Sequence, residues 1–178
     1  MQMKSKIYPV PEQVIFSFSK EQPAYSEIND LPNVHFVKGL EFNIPIAKRT
    51  LIIIDDQMAD VMKSESMQEL FTKGIHHESI SCILLNQNLY PQGKHGRDIR
   101  LNNHYYVIMK SPTLVSQVTF LGRQIFPTKK NFVLEAYKKA TEQPYSYLFL
   151  NLHPYCDDRL RVRTGILEGE TEYIFVPK

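Results

Sequence analysis

Apolar and polar positions alternate, cluster and break along this chain in a way that predicts strands separated by short helices. Gln13–Ser19 (QVIFSFS) is β-branched and aromatic and follows Pro9 and Pro11, so it reads as a strand entered from a turn. Pro23 and the residues after it read as one or two helical turns ended by Pro32, and Val34–Val37 (VHFV) reads as a second strand closed by Gly39. The strongest element is Thr50–Asp56 (TLIIIDD). Its apolar run Leu51–Ile54 has no alternation, which is how a strand covered on both faces of a parallel sheet reads.

After that strand, DVMKSESMQELFTKG places Val61, Met62, Met67, Leu70 and Phe71 on one broad face and stops at Gly74, a helix with glycine at its end. SCILLNQ (Ser81–Gln87) and YYVIM (Tyr105–Met109) repeat the all-apolar strand pattern. Strand, helix and strand in this succession imply right-handed crossovers and a parallel sheet. Thr113–Phe126 and Asn131–Gln143 carry helical spacing, the second with Asn131 in cap position and Pro144 beyond its end. YLFLNL, LRVRT and EYIFVP then read as closely spaced strands, so the expected sheet finishes with antiparallel edge pairing. The fold class is α/β, in one domain.

Composition narrows the function classes. At 178 residues with 43% hydrophobic and 22% charged residues, the sequence is that of a packed globular domain and not of a disordered or fibrous chain. A net charge of +2 gives no general attraction to nucleic acid or lipid, so any such contact must be a local patch. Two cysteines, Cys82 and Cys156, are too few for a disulfide framework and favour a reducing compartment. No apolar run approaches the roughly 20 residues that span a bilayer, and MQMKSKIYPVPEQ is not of signal-peptide type, so a soluble intracellular protein with no membrane partner is expected.

Candidate chemistry concentrates at strand ends. Asp55 and Asp56 close the buried strand, at the sheet edge where open α/β proteins bind ligands. Acids there can hold a nucleotide-bound Mg²⁺ and orient an attacking water; the same pair equally suits the cap of the following helix. Asn86, Gln87 and Asn88 end the next buried strand, where an amide can reach a γ-phosphate or can simply begin the turn toward Pro91 and Gly93. KHGRDIR (Lys94–Arg100) is a small basic loop in which Arg97 or Arg100 is available to a phosphoryl group or a DNA phosphate, or to solvent. Arg159, Arg161 and Arg163 share one strand face, open to a nucleic-acid backbone or to pairing with Asp157 and Asp158. His76, His77 and Glu78 lack a third ligand at sensible spacing for zinc, and neither Cys156 nor any serine sits in a hydrolase arrangement.

The combined succession IIIDDQM, LFTKGIHH, ISCILLNQNLYPQGKHGRDIRLNNHYYVIMKSP, QPYSYLFLNL and RLRVRTGI resembles the viral-type DNA-packaging ATPases of the FtsK/HerA superfamily. Within them it is similar to the packaging ATPase of Polinton-like and adintovirus-like mobile elements, over nearly the whole chain from about Val14. The resemblance implies a three-layer P-loop NTPase-like fold of RecA type. Asp55 would be the Walker B acid that holds Mg²⁺ through the nucleotide, Asp56 the acid that activates water, and Gln87 the polar sensor. Arg100, with Arg97 as the other choice, falls where such families place an arginine finger. The implied partners are further copies of the chain in a ring, usually hexameric, and double-stranded DNA; the implied location is the nucleus or a viral factory.

One part of that pattern is missing. No GxxxxGK[ST] loop can be written here, since KGIHHES and PQGKHGRD lack the required order of Gly, Lys and Ser/Thr. The expectation is therefore a single N-terminally truncated domain over residues 1–178, without the first strand and the phosphate loop, in which ATP and Mg²⁺ belong to the complete protein. As it stands the chain would be the inactive C-terminal portion of a DNA-translocating ATPase. The alternative is a catalytically dead mobile-element remnant serving as an interaction or nucleic-acid-binding module, and a third reading is an unrelated α/β binding domain.

Overall fold

The computed structural model describes residues 10–29, 31–42, 49–74 and 79–177. After Asn102 the chain passes from one compact unit to a second. The first unit is built on four strands, β1 (Gln13–Phe18), β2 (Val34–Lys38), β3 (Thr50–Asp55) and β4 (Ile80–Leu85), all parallel in the order β2-β1-β3-β4. The register aligns Lys38, Phe18, Asp55 and Leu85 in one row, so the four strands end flush.

The uninterrupted apolar run of β3 is explained by its place between two parallel neighbours. Ile52 and Ile54 are fully buried on the face that also carries Ile15 and Ile80. Against that face pack Val61 of α2 (Met58–Val61), Met67 of α3 (Glu65–Glu69), Phe71 of the π-turn Leu70–Gly74 and Ile99 of α4 (Gly96–Leu101). The sequence predicts one helix from Asp60 to Gly74; the structure has two short ones. The break falls at Ser64, which leaves the helical conformation and accepts a hydrogen bond from the Met67 N–H at 3.2 Å, a local alternative to continuing the ladder.

The opposite face of this sheet is covered differently. The turn Pro23–Tyr25 and α1 (Ser26–Asn29) lay Tyr25 over Phe16, Phe18 and Phe36. On the other side of β3, Ile53 and Ile83 are only half-buried and Leu85 is 43% exposed. β4 pairs with β3 alone among the described residues, although ISCILL carries no charge, proline or bulge to guard an edge. At the other edge β2 is short and carries His35 and Lys38, an ordinary protected edge.

The second unit holds β5 (Tyr105–Met109), β6 (Tyr147–Asn151), β7 (Val162–Thr164) and β8 (Tyr173–Ile174) in an antiparallel meander, β5-β6-β7-β8. The sequence predicts one sheet finishing in edge strands. Instead Tyr105–Met109 leaves the parallel set and begins a sheet of its own, and its burial shows why the sequence misled. Ile108 is 2% exposed whereas Tyr105, Val107 and Met109 are 47–57% exposed, so a half-buried strand is disguised by apolar residues on both faces. The buried face receives α5 (Val115–Ile125) and α6 (Phe132–Ala140), close to the predicted helices, with Val118 and Val133 at 0% exposure. The Tyr137 hydroxyl ties α6 to the end of β5, donating toward Met109 O at 3.1 Å and accepting from Ser111 N at 2.8 Å. Among the described residues no helix is long and apolar enough to cross a membrane.

The two helices meet at Gly122, where an added Cβ would lie 2.8 Å from Val133 Cβ. An alanine in mid-helix ordinarily gains about 1 kcal/mol over glycine, but here overpacking costs about 1–3 kcal/mol. Gly122→Ala is expected to destabilise the protein by about 1 kcal/mol in urea unfolding; a stabilised variant would show that the close approach is absent.

Candidate functional site

Because β3 ends flush with its neighbours, Asp55 stands at the carboxyl edge of the sheet and Asp56 begins the turn beyond it. Asp55 is half-buried on the aromatic face, and its Oδ2 accepts a hydrogen bond from the Tyr25 hydroxyl at 2.6 Å. Tyr25 is 8% exposed, and burial first, then the hydrogen bond to Asp55 and the negative charges of Asp55 and Asp56, push its phenol up to about 12. It therefore stays a protonated donor at any physiological pH.

Asp56 has a left-handed backbone with φ of 53°, and its side chain is exposed. The next residue turns back into the protein. Gln57, 3% exposed, donates from Nε2 to Ser17 Oγ at 2.5 Å, and Ser17, fully buried, donates to Gly39 O at 2.7 Å. This chain of bonds ties the turn after β3 to the ends of β1 and β2 and fixes two adjacent acids in unlike settings, one clamped and one facing solvent. It also bears on the helix-cap alternative. The cap position of α2 is occupied by Gln57, whose side chain is turned to Ser17, and the acid in the first turn is Asp60, so neither Asp55 nor Asp56 caps that helix by side chain.

Gln87 lies two residues beyond Leu85, the register partner of Asp55, so the sheet brings Asp55, Asp56 and Gln87 to one edge. Gln87 is exposed. Asn86 and Asn88 act as turn formers: their Oδ1 atoms accept from Asn88 N at 3.0 Å and Tyr90 N at 2.8 Å.

The expected basic loop contains a helix. Residues Gly96–Leu101 form α4 because Ile99, 1% exposed, anchors the segment in the core. Gly93, at φ of 152°, lets the chain pass over Met62, where a Cβ would meet Met62 Cβ at 2.5 Å, and His95 N donates to Met62 O at 2.9 Å. Two of the basic side chains are engaged. The Lys94 ammonium pairs with Glu65 at 2.7 Å, holding that carboxyl below its usual range, and the Arg100 guanidinium lies 4.8 Å from the centre of the Tyr90 ring. Arg100 is half-buried and Arg97 exposed, so of the two arginines the sequence singles out, Arg97 is the one presented outward.

The arginine stripe of the second unit resolves toward ion pairing. Arg159 pairs with Asp157 at 2.8 Å, Arg161 with Asp158 at 2.7 Å and Arg163 with Glu172 at 2.7 Å. The hydrogen bond from Arg159 brings the Asp157 carboxyl down to about 2. Arg161 also donates to the carbonyls of Asn151 and His153, and Arg163 lies over Phe149. These side chains organise their own hairpin and do not form a bare basic face.

Cys82 and Cys156 are free thiols, and burial pushes the Cys82 thiol up to about 12, which disfavours its reactive thiolate form. His76, His77 and Glu78 lie outside the described residues; among the described residues no group of three or more His, Cys, Asp or Glu side chains could hold a metal ion. What the sequence reading misses is the support for the acids: Tyr25, Gln57 and Ser17. Only the Pro23 turn signal pointed near Tyr25, and no spacing rule connects it to Asp55 across 30 residues.

The chain matches no protein-family model, no curated protein and no solved structure in the comparisons made.

The Tyr25–Asp55 bond has a pH signature. A group whose pKa is raised on folding adds stability that is full below its unfolded value, near 10, and is lost as pH rises through about 12. Asp55→Asn removes the charge and is expected to lower the Tyr25 value by about one unit, read from tyrosine ring-carbon NMR titration. An unmoved titration would mean that the hydrogen bond is not formed.

Proposed function

We infer that this chain is the C-terminal portion of a DNA-translocating ATPase of the viral packaging type, inactive by itself for want of a phosphate loop. The observation that carries the reading is the pairing of a clamped acid, Asp55, at the carboxyl end of a parallel strand with an unguarded neighbouring edge, β4, which leads to Gln87. In such an enzyme the strand bearing the phosphate loop would add to the parallel sheet. An apolar β4 with only one neighbour among the described residues supports a sheet that continues past it.

The donor set is also the right kind for Mg²⁺. Asp55 accepts one hydrogen bond, from Tyr25 at Oδ2, and keeps lone pairs for a further partner, and Asp56 is exposed. That suits an ion held by one or two carboxylates together with nucleotide phosphates rather than by an all-protein cage. When bound, Mg²⁺ would neutralise charge on the transferring phosphoryl group. In the proposed division of labour Asp55 would help hold the ion and Asp56, exposed to solvent, would accept the proton of the attacking water. Gln87 hydrogen-bonds that water or the γ-phosphate. Arg97 or Arg100 would reach a neighbouring subunit of a ring on duplex DNA, and the outward Arg97 suits that task better.

The isolated chain has a second reading as an interaction module without catalysis. The β4 edge favours it, because an apolar strand with one strand partner among the described residues is a ready template for another strand. The ion-paired arginines give it no support as a nucleic-acid binder.

The test is enzymological. A protein that joins these residues to a preceding strand and GxxxxGK[ST] loop, as read from the native transcript, is expected to hydrolyse ATP. In it Asp56→Asn should cut turnover by about 10²–10⁴-fold with nucleotide binding nearly intact. Undiminished turnover in that variant, or a transcript with no such loop upstream, would defeat the ATPase reading.

A further inference from the structure

The second unit carries a groove of about 570 Å³ between the start of α6 and the C-terminal strand. One wall offers carbon from Phe132 and Ala136 of α6. The other is β8 with the residues after it, where Ile174 is 49% and Val176 56% exposed. Among the described residues the one strand partner of β8 is β7.

That pairing decides which way the edge directs its backbone. Arg163 faces Ile174, Thr164 faces Tyr173, and Phe175 N donates to Val162 O at 2.9 Å. In an antiparallel pair, residues whose N–H and C=O turn toward the partner strand alternate with residues whose groups turn away. Phe175 therefore bonds inward to β7, and Ile174 and Val176 direct their N–H and C=O outward from the sheet edge. Both of these residues line the groove, so a carbon surface and a row of strand donors and acceptors occur together.

The rim is basic. Lys129 and Lys130 occupy the turn that leads into α6 and Lys139 lies two turns along it, against one acid, Glu135. Lys139 shares its charge with Glu142 at 3.1 Å in an exposed pair, and Lys130 has no ion-pair partner among the described residues. A ligand suited to this groove needs backbone groups at strand spacing, carbon to set against Phe132 and Val176, and negative charge for the lysines. An extended acidic peptide supplies all three, because its side chains alternate between faces while its backbone pairs at the edge. A nucleic-acid backbone supplies the charge, but its phosphates cannot donate to the outward carbonyls.

We propose that the groove between α6 and β8 binds an acidic, extended segment of a partner protein, which adds as a strand to the β8 edge and sets its carboxylates against Lys129 and Lys130. This interaction does not depend on the ATPase reading, and it uses a different strand from the β4 edge.

The experiment follows the fluorescence anisotropy of the fluorescein-labelled peptide EVEVEVE with the full chain. Binding is expected, and KVKVKVK should not bind. Lys130→Glu should weaken binding by about tenfold or more. Lys63→Glu, the same charge reversal at an exposed lysine of the first unit, should leave it unchanged. Val176→Pro removes an outward N–H and no bond to β7, and should also cost about tenfold. The native protein gives the same test without a variant: of two peptides N-methylated at alternate residues, one in each register, one should lose binding and the other keep it. Full binding of both, or an unchanged affinity in Val176→Pro, would leave charge attraction alone and overturn strand addition. Duplex DNA of about 20 base pairs that binds through Lys130 where the peptide does not would assign the groove to nucleic acid instead. No peptide binding at about 1 mM would overturn the proposal outright.

Discussion

The parallel pairing of β3 with a neighbour on each side is what the rest of the first unit depends on. It requires an apolar residue at every position from Leu51 to Ile54, and it fixes where the strand stops. Because Phe18, Asp55 and Leu85 share a register row, the first polar residue of β3 emerges at the sheet edge beside the aromatic face of β1. From that placement follow the clamp by Tyr25, the left-handed turn at Asp56 and the return of Gln57 to Ser17. Two acids adjacent in sequence thereby acquire different surroundings, which is the physical condition for giving them different tasks.

The same pairing leaves β4 with one partner strand among the described residues. β4 has the composition of an interior strand and, among the described residues, the neighbours of an edge strand, while β2, at the opposite border, carries exposed His35 and Lys38 that guard it. That asymmetry is a feature of the sheet itself and does not depend on any likeness to other proteins. It links the ATPase reading to the interaction-module reading, since both need something to pair with β4; they differ in whether that strand belongs to the same polypeptide. The second unit shows a milder form of incompleteness, in the apolar outward stripe of Tyr105, Val107 and Met109.

Much of this was legible in the sequence where one signal dominated. The run TLIIIDD gave both the central strand and the position of the acids, and the spacing of Val118, Leu121, Val133 and Tyr137 gave the two longer helices. Legibility failed where two signals competed or where the decisive contact was distant. YYVIM hid a period of two behind apolar residues on both faces. Ser64 broke a helix that hydrophobic spacing alone would continue, and Ile99 drew a basic loop into a helical turn. The arginines of β7 and the preceding turn could be read as a patch or as ion pairs until Asp157, Asp158 and Glu172 were placed beside them. Tyr25 and Gln57 were invisible because their partners lie 30 and 40 residues away.

Backbone hydrogen exchange of the native chain at low concentration tests the central claim most directly. Amides of β3 bond to a partner strand on either side, so they should exchange slowest, near the rate of global unfolding. In β4, the amides directed to β3 should be protected, while the intervening ones should exchange orders of magnitude faster. Uniform protection along Ile80–Leu85, equal to that of β3, would mean that this edge is already covered and would contradict the account.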